Sequence, residues 1–204
     1  APSITAATVC QSDDAIPAMT ATAATGATVK AWAWDGSEVA STETTAEYTQ
    51  SSKSTAGITT YKVRYQAYEP VSGEYCWSPE SEVTTTVYGN PTIVFTKTSE
   101  DVCYTDGSIK VEVTATPGDD GNGTSNGSGN GSWSITGDAS AISTQGVFNT
   151  KANGESSGEY TITYEYTDGR GCFNTANRTI NVTFLPKPET EGFYAMTSQK
   201  NPVT

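Results

Sequence analysis

The chain has 204 residues, enough for one large domain or two small ones, and carries 23 acidic against 11 basic residues. The net charge of −12 argues against binding to nucleic acid or anionic lipid, since both require a basic surface. Thr, Ser, Gly and Tyr are abundant, leucine occurs once, and no apolar run approaches the roughly 18 residues of a membrane helix. This composition predicts β-structure and no membrane insertion.

Alternating apolar and polar residues predict strands along the first half of the chain. In Ala27–Trp34, small residues on one face alternate with Trp32 and Trp34 on the other, so either the tryptophan face is core or a bulge shifts the register. We expect both tryptophans to be at least partly buried, because they carry most of the apolar area. Thr59–Tyr68 and Ser81–Tyr88 show the period of two of half-buried strands.

The second half continues this pattern. Ile109–Ala115, Tyr160–Thr167 and Thr179–Phe184 alternate in the same way. Asp-Gly turn signals at 35–36, 106–107 and 168–169, and a Gly/Asn-rich run over Gly118–Gly131, separate the strands. Strand-length segments between turns are typical of a sandwich, so the sequence predicts an all-β protein.

The two halves of the sequence resemble each other as diverged repeats. Tyr61–Tyr65 parallels Tyr160–Tyr164, and Cys76 and Cys172 follow 15 and 12 residues after the first tyrosine of each motif. Self-similarity at about 95 residues is typical of a domain array, and a sandwich needs about 100 residues. We therefore predict one sandwich over residues 1–89, a second over residues 90–186, and a linker or tail over residues 187–204.

The four cysteines of the chain allow three pairings. Closure within each half favours Cys10–Cys76 and Cys103–Cys172, in an oxidising compartment outside the cell. Buried free thiols are the alternative. A metal site is disfavoured, because no two cysteines are close in sequence and the chain has no histidine.

Short motifs that contain cysteine, tryptophan or glycine occur in both halves. They are Val9–Gln11, Val29–Gly36, Gly57–Tyr65 and Cys76–Pro79 in the first half, and Cys103–Gly107, Trp133–Ile135, Gly146–Phe148, Gly158–Tyr166 and Gly171-Cys172 in the second. Together these motifs resemble the Ig-like and PKD-like repeats of Bacteroidetes cell-surface proteins. Such repeats occur in long adhesins, including gliding-motility adhesins, that the type IX secretion system exports. The resemblance implies two tandem Ig-like sandwiches, each with one intradomain disulfide. They would serve as a stalk or adhesin repeat whose partners are neighbouring repeats or copies of the chain itself.

Residues suited to catalysis are scarce. The chain has no histidine, which excludes His-based triads and ordinary zinc sites, and no phosphate-binding Gly-rich loop precedes a helix. Carboxylate pairs such as Asp13-Asp14 and Glu80/Glu82 are expected in any chain this acidic. We predict that the protein is not an enzyme and has no cofactor other than calcium at the loop described next.

Two kinds of ligand or modification site follow from the sequence. Asp119, Asp120 and Asn122 place oxygen ligands as calcium loops do, but no bidentate glutamate follows as in an EF-hand, so a flexible hairpin insertion is the alternative. Glycosylation triplets Asn-x-Ser/Thr, which are also common by chance in such a chain, occur at Asn122, Asn126, Asn130, Asn177 and Asn181.

Two alternative functions follow from other residues. The aromatic side chains of Trp32, Trp34, Tyr65, Tyr68, Trp77 and Trp133 would stack on surface glycans in a carbohydrate-binding module, with sandwich core as the competing interpretation. Trp77 is the best candidate for exposure. The tail is polar apart from Phe193, Tyr194 and Met196, which in a filament subunit would join copies through a donated strand.

Overall fold

A computed structural model describes residues 1–13, 16–50, 54–152 and 154–185. Regular structure in these residues is β-strand, apart from short 3-10 helices at Tyr104–Asp106 and Ala139–Ala141. In the same residues, no helix is long and apolar enough to cross a membrane. The all-β prediction is confirmed.

The strands of the first half, residues 1–88, form one sheet of order β1-β3-β6 and another of order β2-β9-β7-β4-β5, with β8 added beside β7. β2 runs parallel to β9, and the other neighbours are antiparallel. The strands are β1 (Ser3–Ile4), β2 (Thr8–Cys10), β3 (Met19–Thr22), β4 (Val29–Trp34), β5 (Ser37–Ala40), β6 (Thr45–Tyr48), β7 (Gly57–Glu69), β8 (Glu74–Trp77) and β9 (Ser81–Tyr88).

The strands of the second half, residues 92–185, repeat this arrangement. They pair as β10-β13, β12-β15 and β11-β17-β16-β14, and β11 runs parallel to β17 as β2 does to β9. The strands are β10 (Thr92–Phe95), β11 (Ser99–Cys103), β12 (Ser108–Lys110), β13 (Val113–Thr116), β14 (Asn130–Ile135), β15 (Val147–Asn149), β16 (Gly158–Thr167) and β17 (Phe173–Thr183).

Both halves have the strand order of an Ig-like sandwich. In the lettering of Ig domains, β1, β3 and β6 are strands A, B and E, while β2, β9, β7, β4 and β5 are A′, G, F, C and C′. In the second half, β10 is strand A, β12 and β13 together form strand B, and β15 is strand E. The opposite sheet contains strands A′, G, F and C, which are β11, β17, β16 and β14. The predicted strand at Ile109–Ala115 is therefore interrupted at Val111-Glu112.

Each half buries its own apolar core between its sheets. The first core is built around Trp32, Trp34 and Val63, and the second around Phe148, Ile162 and Ile180. Every sheet lies on one side of Gly89–Pro91, where the boundary is predicted. That each half folds as a separate domain stays a prediction.

The strand that contains Trp32 and Trp34 has both a buried tryptophan face and a bulge. Trp32 and Trp34 are buried in the first core, and a bulge between Val29 and Ala31 shifts the register against β7. The bulge puts Val29 on the same face as the tryptophans, which explains why strict alternation fails in this segment.

A buried ion pair links the second half's sheet to its edge. Arg178 on β17 is only 2% exposed, and its guanidinium pairs with Glu100 on β11. Glu100 also pairs with Lys97. The Lys97 ammonium, with Arg178 beside it, holds the pKa of the Glu100 carboxyl below its usual value.

We expect Glu100→Gln to destabilise the second half by about 3 kcal/mol at neutral pH, because Arg178 is left buried without a counter-charge. Since the pKa of Glu100 is lower in the folded state, its contribution is present above the unfolded pKa and lost as pH falls through the folded one. Urea unfolding between pH 2 and 7 measures the free energy of unfolding of the wild type and of Glu100→Gln. Glu159→Gln, at an exposed position on β16, is the matched control. Equal loss in both variants would contradict the account.

Candidate functional site at the junction of the two halves

A disulfide joins the two halves of the chain. Cys10 ends β2 in the first half, and Cys172 immediately precedes β17 in the second. Their sulfur atoms lie 2.02 Å apart and their Cα atoms 5.3 Å apart, across 162 residues of sequence. All four cysteines are in the described residues, and the other two, Cys76 and Cys103, form no disulfide and are exposed.

The predicted pairings Cys10–Cys76 and Cys103–Cys172 are therefore wrong, and the register explains why. Cys10 lies beside Tyr88 at the junction, whereas Cys76 pairs with Ala67, ten residues along β7 from its junction end. Ten strand residues span roughly 30 Å, far beyond the 7 Å or so that a disulfide allows between Cα atoms. In the second half, Cys172 lies just before the first residue of β17, and Cys103 pairs with its last residue, Thr183. The 11 residues of β17 therefore hold these two cysteines equally far apart.

An aspartate in a turn holds each cysteine of the disulfide in place. The Cys10 amide donates to Asp13 Oδ2 at 2.7 Å. In the second half, Asp168 is 5% exposed, and its Oδ1 accepts from the amides of Arg170 and Cys172, both at 3.0 Å. These bonds fix the turn between β16 and β17 that presents Cys172 to the first half.

The Gly/Asn-rich run packs against the linker between the halves. The Gly89 amide donates to the Asp119 carbonyl at 2.7 Å, and Asn126 Nδ2 donates to the Gly89 carbonyl at 3.1 Å. The same amide nitrogen donates to Asp168 Oδ2 at 2.8 Å, so Asn126 connects the linker to the Cys172 turn. The alternative interpretation of this run was a flexible hairpin insertion, and an antiparallel bridge does join Asp119 to Ser125. The flexibility of this hairpin stays a prediction.

Glycines allow the run to approach the first half this closely. A Cβ on Gly118 would lie 1.9 Å from the Gly89 carbonyl oxygen, and one on Gly121 would lie 2.4 Å from the Ala56 carbonyl oxygen. Gly121 also has φ +79, which side-chain-bearing residues rarely adopt. The glycine content of the run is therefore a requirement for close backbone packing.

Further contacts surround the disulfide. The Arg170 guanidinium lies over the Tyr88 ring, 5.2 Å from its centre. The Phe173 amide donates to Ser12 Oγ at 3.4 Å, and Asn174 Nδ2 donates to the Pro91 carbonyl at 2.8 Å. The halves are thus joined by a covalent bond, a three-residue linker and a set of hydrogen bonds.

The predicted calcium residues lie beside this junction. The Asp119 carboxylate accepts from the Gly121 amide, and the Asp120 carboxylate accepts from the amides of Asn122 and Thr124. Those backbone donors hold the pKa of Asp120 below its usual value. In the described residues, no three or more Asp, Glu, Cys or His side chains are grouped as a metal site. Calcium binding by Asp119, Asp120 and Asn122 stays a prediction.

One predicted glycosylation site is wrong. Asn126 is 4% exposed and its Nδ2, the atom that would carry a glycan, makes the two hydrogen bonds described above. Of the other triplets, Asn122, Asn130 and Asn177 are exposed, and Asn181 is half-buried and donates to Asp101. Modification at these four stays a prediction.

The aromatic residues do not form one exposed platform. Trp32, Trp34 and Tyr65 are buried in the first core, and Trp133 packs against the second core. Trp77 is half-buried beneath the Arg64 guanidinium, 4.7 Å from its ring centre. The predicted assembly residues Phe193, Tyr194 and Met196 lie outside the described residues.

Sequence reasoning missed Asp168 and Asn126 as junction residues. Asp168-Gly169 was recognised as a turn, but nothing local shows that the turn faces another half. The spacing Cys10-Gln-Ser-Asp13 and Cys103-Tyr-Thr-Asp106 marks Cys10 and Cys103 as equivalent positions of the two halves. It does not show which cysteine either of them bonds.

The chain matches no known protein family and no characterised protein at a significant level. Solved structures with similar folds include Clostridium thermocellum CbhA fibronectin(III)-like modules, at 19% identity, TM-score 0.36, and coverage of 89% of this chain and 94% of that one. Titin domains I67–I69 match at 15% identity and TM-score 0.41, over 90% of this chain and 65% of that one. Drosophila N-cadherin EC1-4 matches at 12% identity and TM-score 0.37, over 90% of this chain and 49% of that one. The fold assignment rests on the strand order given above.

We expect Gly118→Ala to displace the Gly/Asn-rich run from the linker, because the new methyl group meets the Gly89 carbonyl. The Gly89 amide then loses its bond to Asp119 and should exchange with deuterium about tenfold faster or more. Gly57→Ala is the control, since a Cβ there meets nothing within 4 Å. Unchanged exchange at Gly89 in Gly118→Ala would show that the run does not pack there.

We expect Asp168→Ala to cost about 3 kcal/mol of unfolding free energy, because a buried carboxylate loses three hydrogen bonds and leaves their donors unpaired. Asp168→Asn keeps an acceptor oxygen for the amides of Arg170 and Cys172 but places a carboxamide NH2 donor opposite the Asn126 donor, so its loss of unfolding free energy should be smaller. Urea unfolding followed by far-UV circular dichroism gives both values. If Asp168→Ala were as stable as the wild type, the hydrogen bonds of Asp168 would not stabilise the Cys172 turn.

Proposed function

We propose that the protein is a structural spacer or adhesive module acting outside the cell, of the kind found in Bacteroidetes surface adhesins. The observation that supports this most directly is the disulfide between the halves. A cystine is typical of oxidising, extracellular surroundings. The Cys- and Gly-containing motifs that resemble adhesin repeats supply the finer assignment to a surface adhesin.

The position of Cys10–Cys172 suits a module that carries tension. When the chain is pulled from its two ends, force enters at residue 1, crosses the disulfide, and leaves through residues after 172. Residues 11–171, which contain most of both cores, then lie in a closed loop that force cannot extend. Force still acts on β17, which follows Cys172 and pairs with β16, so the disulfide limits how far the chain can lengthen when strands separate.

Compared with a single linker, the double attachment also limits bending. Domains joined only by a short peptide usually move relative to one another. Here the linker at Gly89–Pro91 and the disulfide tie the halves at two points, and the Gly/Asn-rich run packs against the linker. A rigid connection is what a spacer needs to hold a binding face away from a surface.

Single-molecule pulling between the first and last residues tests this proposal. The wild type should not release the segment between Cys10 and Cys172, whose sequence separation is 162, whereas Cys10→Ser/Cys172→Ser should release it. The difference in contour length is roughly 550 Å at about 3.5 Å per residue. Cys76→Ser/Cys103→Ser, which keeps the disulfide, is the control and should behave as the wild type. Equal lengths in the wild type and Cys10→Ser/Cys172→Ser would refute the load-bearing role.

A further inference from the structure

The two unbonded cysteines lie at the outer ends of the molecule. β7 begins at the junction, and Cys76 pairs with Ala67 near its far end. β17 also begins at the junction, and Cys103 pairs with Thr183, its last residue. Each thiol is exposed and roughly 30 Å from the junction within its own half. At that distance from the junction in different halves, the two thiols are too far apart to bond within one chain.

Cys103 occupies in the second half the place that Cys10 occupies in the first. Both end a strand that runs parallel to the last strand of the half, β2 beside β9 and β11 beside β17. Both amides donate to an aspartate three residues later, at 2.7 Å to Asp13 and 2.8 Å to Asp106. The local structure around the two cysteines is the same.

Cys76 likewise corresponds to Cys172. Both lie in the connection between the two central paired strands, β7 and β9 in the first half and β16 and β17 in the second. The first connection is longer and contains the extra strand β8, whereas the second is a tight turn. The formed disulfide therefore joins the first cysteine of one half to the second cysteine of the following half.

Applied to the remaining thiols, this rule pairs Cys103 of one molecule with Cys76 of the next. We propose that copies of this chain join head to tail through Cys103–Cys76 disulfides that repeat the Cys10–Cys172 junction. The contact is heterologous, with different surfaces on the two partners, so it extends without closing. This goes beyond the spacer function, which a single copy can perform.

A recess lies beside Cys103, as one lies beside Cys10. At the junction, Thr8, Val9, Asp13 and Tyr88 form a recess with Cys10 that Arg170 and Gly171 of the other half complete. At the outer end, the recess beside Cys103 is lined by Tyr104, Thr105, Thr183, Phe184 and Leu185, of which Thr183 holds the position that Tyr88 holds at the junction. Tyr104 and Phe184 pack edge to face there, and Leu185 is 77% exposed. This apolar recess fits an apolar partner.

The hairpin that carries Cys76 supplies such a partner. Tyr68 and Tyr75 pack against each other across the hairpin, and both are more than 40% exposed. Val71 at its tip is 95% exposed. The exposed apolar side chains of the hairpin and of the Cys103 recess thus lie at opposite ends, as a head-to-tail contact requires.

The bond forms from two thiols, which lose two electrons and two protons. A small-molecule disulfide accepts them by thiol–disulfide exchange. One protein thiolate attacks it to form a mixed disulfide and releases one small thiol. The second protein thiolate then attacks the mixed disulfide, forms the protein disulfide and releases the second small thiol. Glutathione disulfide is a suitable oxidant of this class. The disulfide Cys10–Cys172 takes no part, and Cys172 is fully buried.

The test is oxidation of the purified wild-type chain with glutathione disulfide, followed by non-reducing electrophoresis and peptide mass spectrometry. We expect a ladder of multimers in which the Cys76–Cys103 peptide exceeds each of the two symmetric peptides by about tenfold or more, since docking favours one pairing. Random collision between molecules would instead give the Cys76–Cys103 peptide at about twice the yield of each symmetric peptide. A folded sample with the random distribution, or with no multimers, would overturn the proposal.

Single-cysteine variants sharpen the test. Cys76→Ser alone and Cys103→Ser alone should each stay monomeric, because each lacks one side of the contact. An equimolar mixture of the two should give a dimer and nothing larger. Dimers formed by either variant alone at the level of the mixture would contradict the head-to-tail pairing. None of these outcomes alters the pulling result, which concerns one molecule.

Discussion

The disulfide between Cys10 and Cys172 constrains the arrangement of the whole molecule. It holds two points of separate sandwich halves with their Cα atoms 5.3 Å apart. A short linker alone would leave rotation about its backbone bonds, but a second covalent attachment removes most of that freedom. The hydrogen bonds that Asn126 donates to Gly89 and Asp168 then have acceptors at fixed distances, which is why a Gly/Asn-rich segment packs against the linker.

The same bond compensates for modest cores. The chain has a single leucine, and its cores rely on aromatic residues, valines and alanines. In the chain-entropy treatment, closing a loop of this length removes about 5 kcal/mol of unfolded-state entropy. Because the loop includes the linker and most of both halves, unfolding either half is opposed by the constraint on the other. Stability is therefore partly a property of the pair.

Strand positions could be predicted from the sequence, because a period of two reports directly which residues face a core. Thr59–Tyr68, Ser81–Tyr88 and Tyr160–Thr167 all fall within observed strands. Disulfide pairing could not be predicted this way, since sequence separation does not show at which end of a long strand a cysteine lies. Cys10 and Cys76 belong to one half yet occupy its opposite ends.

The Gly/Asn-rich run shows the same limit. Its composition is that of a mobile loop, and its triplets are those of glycan acceptors, yet Asn126 is buried and bonded to the linker and to the Cys172 turn. Composition describes what a segment does alone in water. The glycines here allow contact with Gly89 and Ala56, and that role depends on a surface supplied by a distant part of the chain.

Disulfide mapping of the native protein is the most direct test of this account. Free thiols are alkylated under native conditions, the chain is digested without reduction, and cross-linked peptides are identified by mass spectrometry. The account predicts one intrachain cross-link, between the peptides of Cys10 and Cys172, with any remaining cysteine alkylated or joined to another copy. Cross-links Cys10–Cys76 and Cys103–Cys172 in the monomer would contradict it.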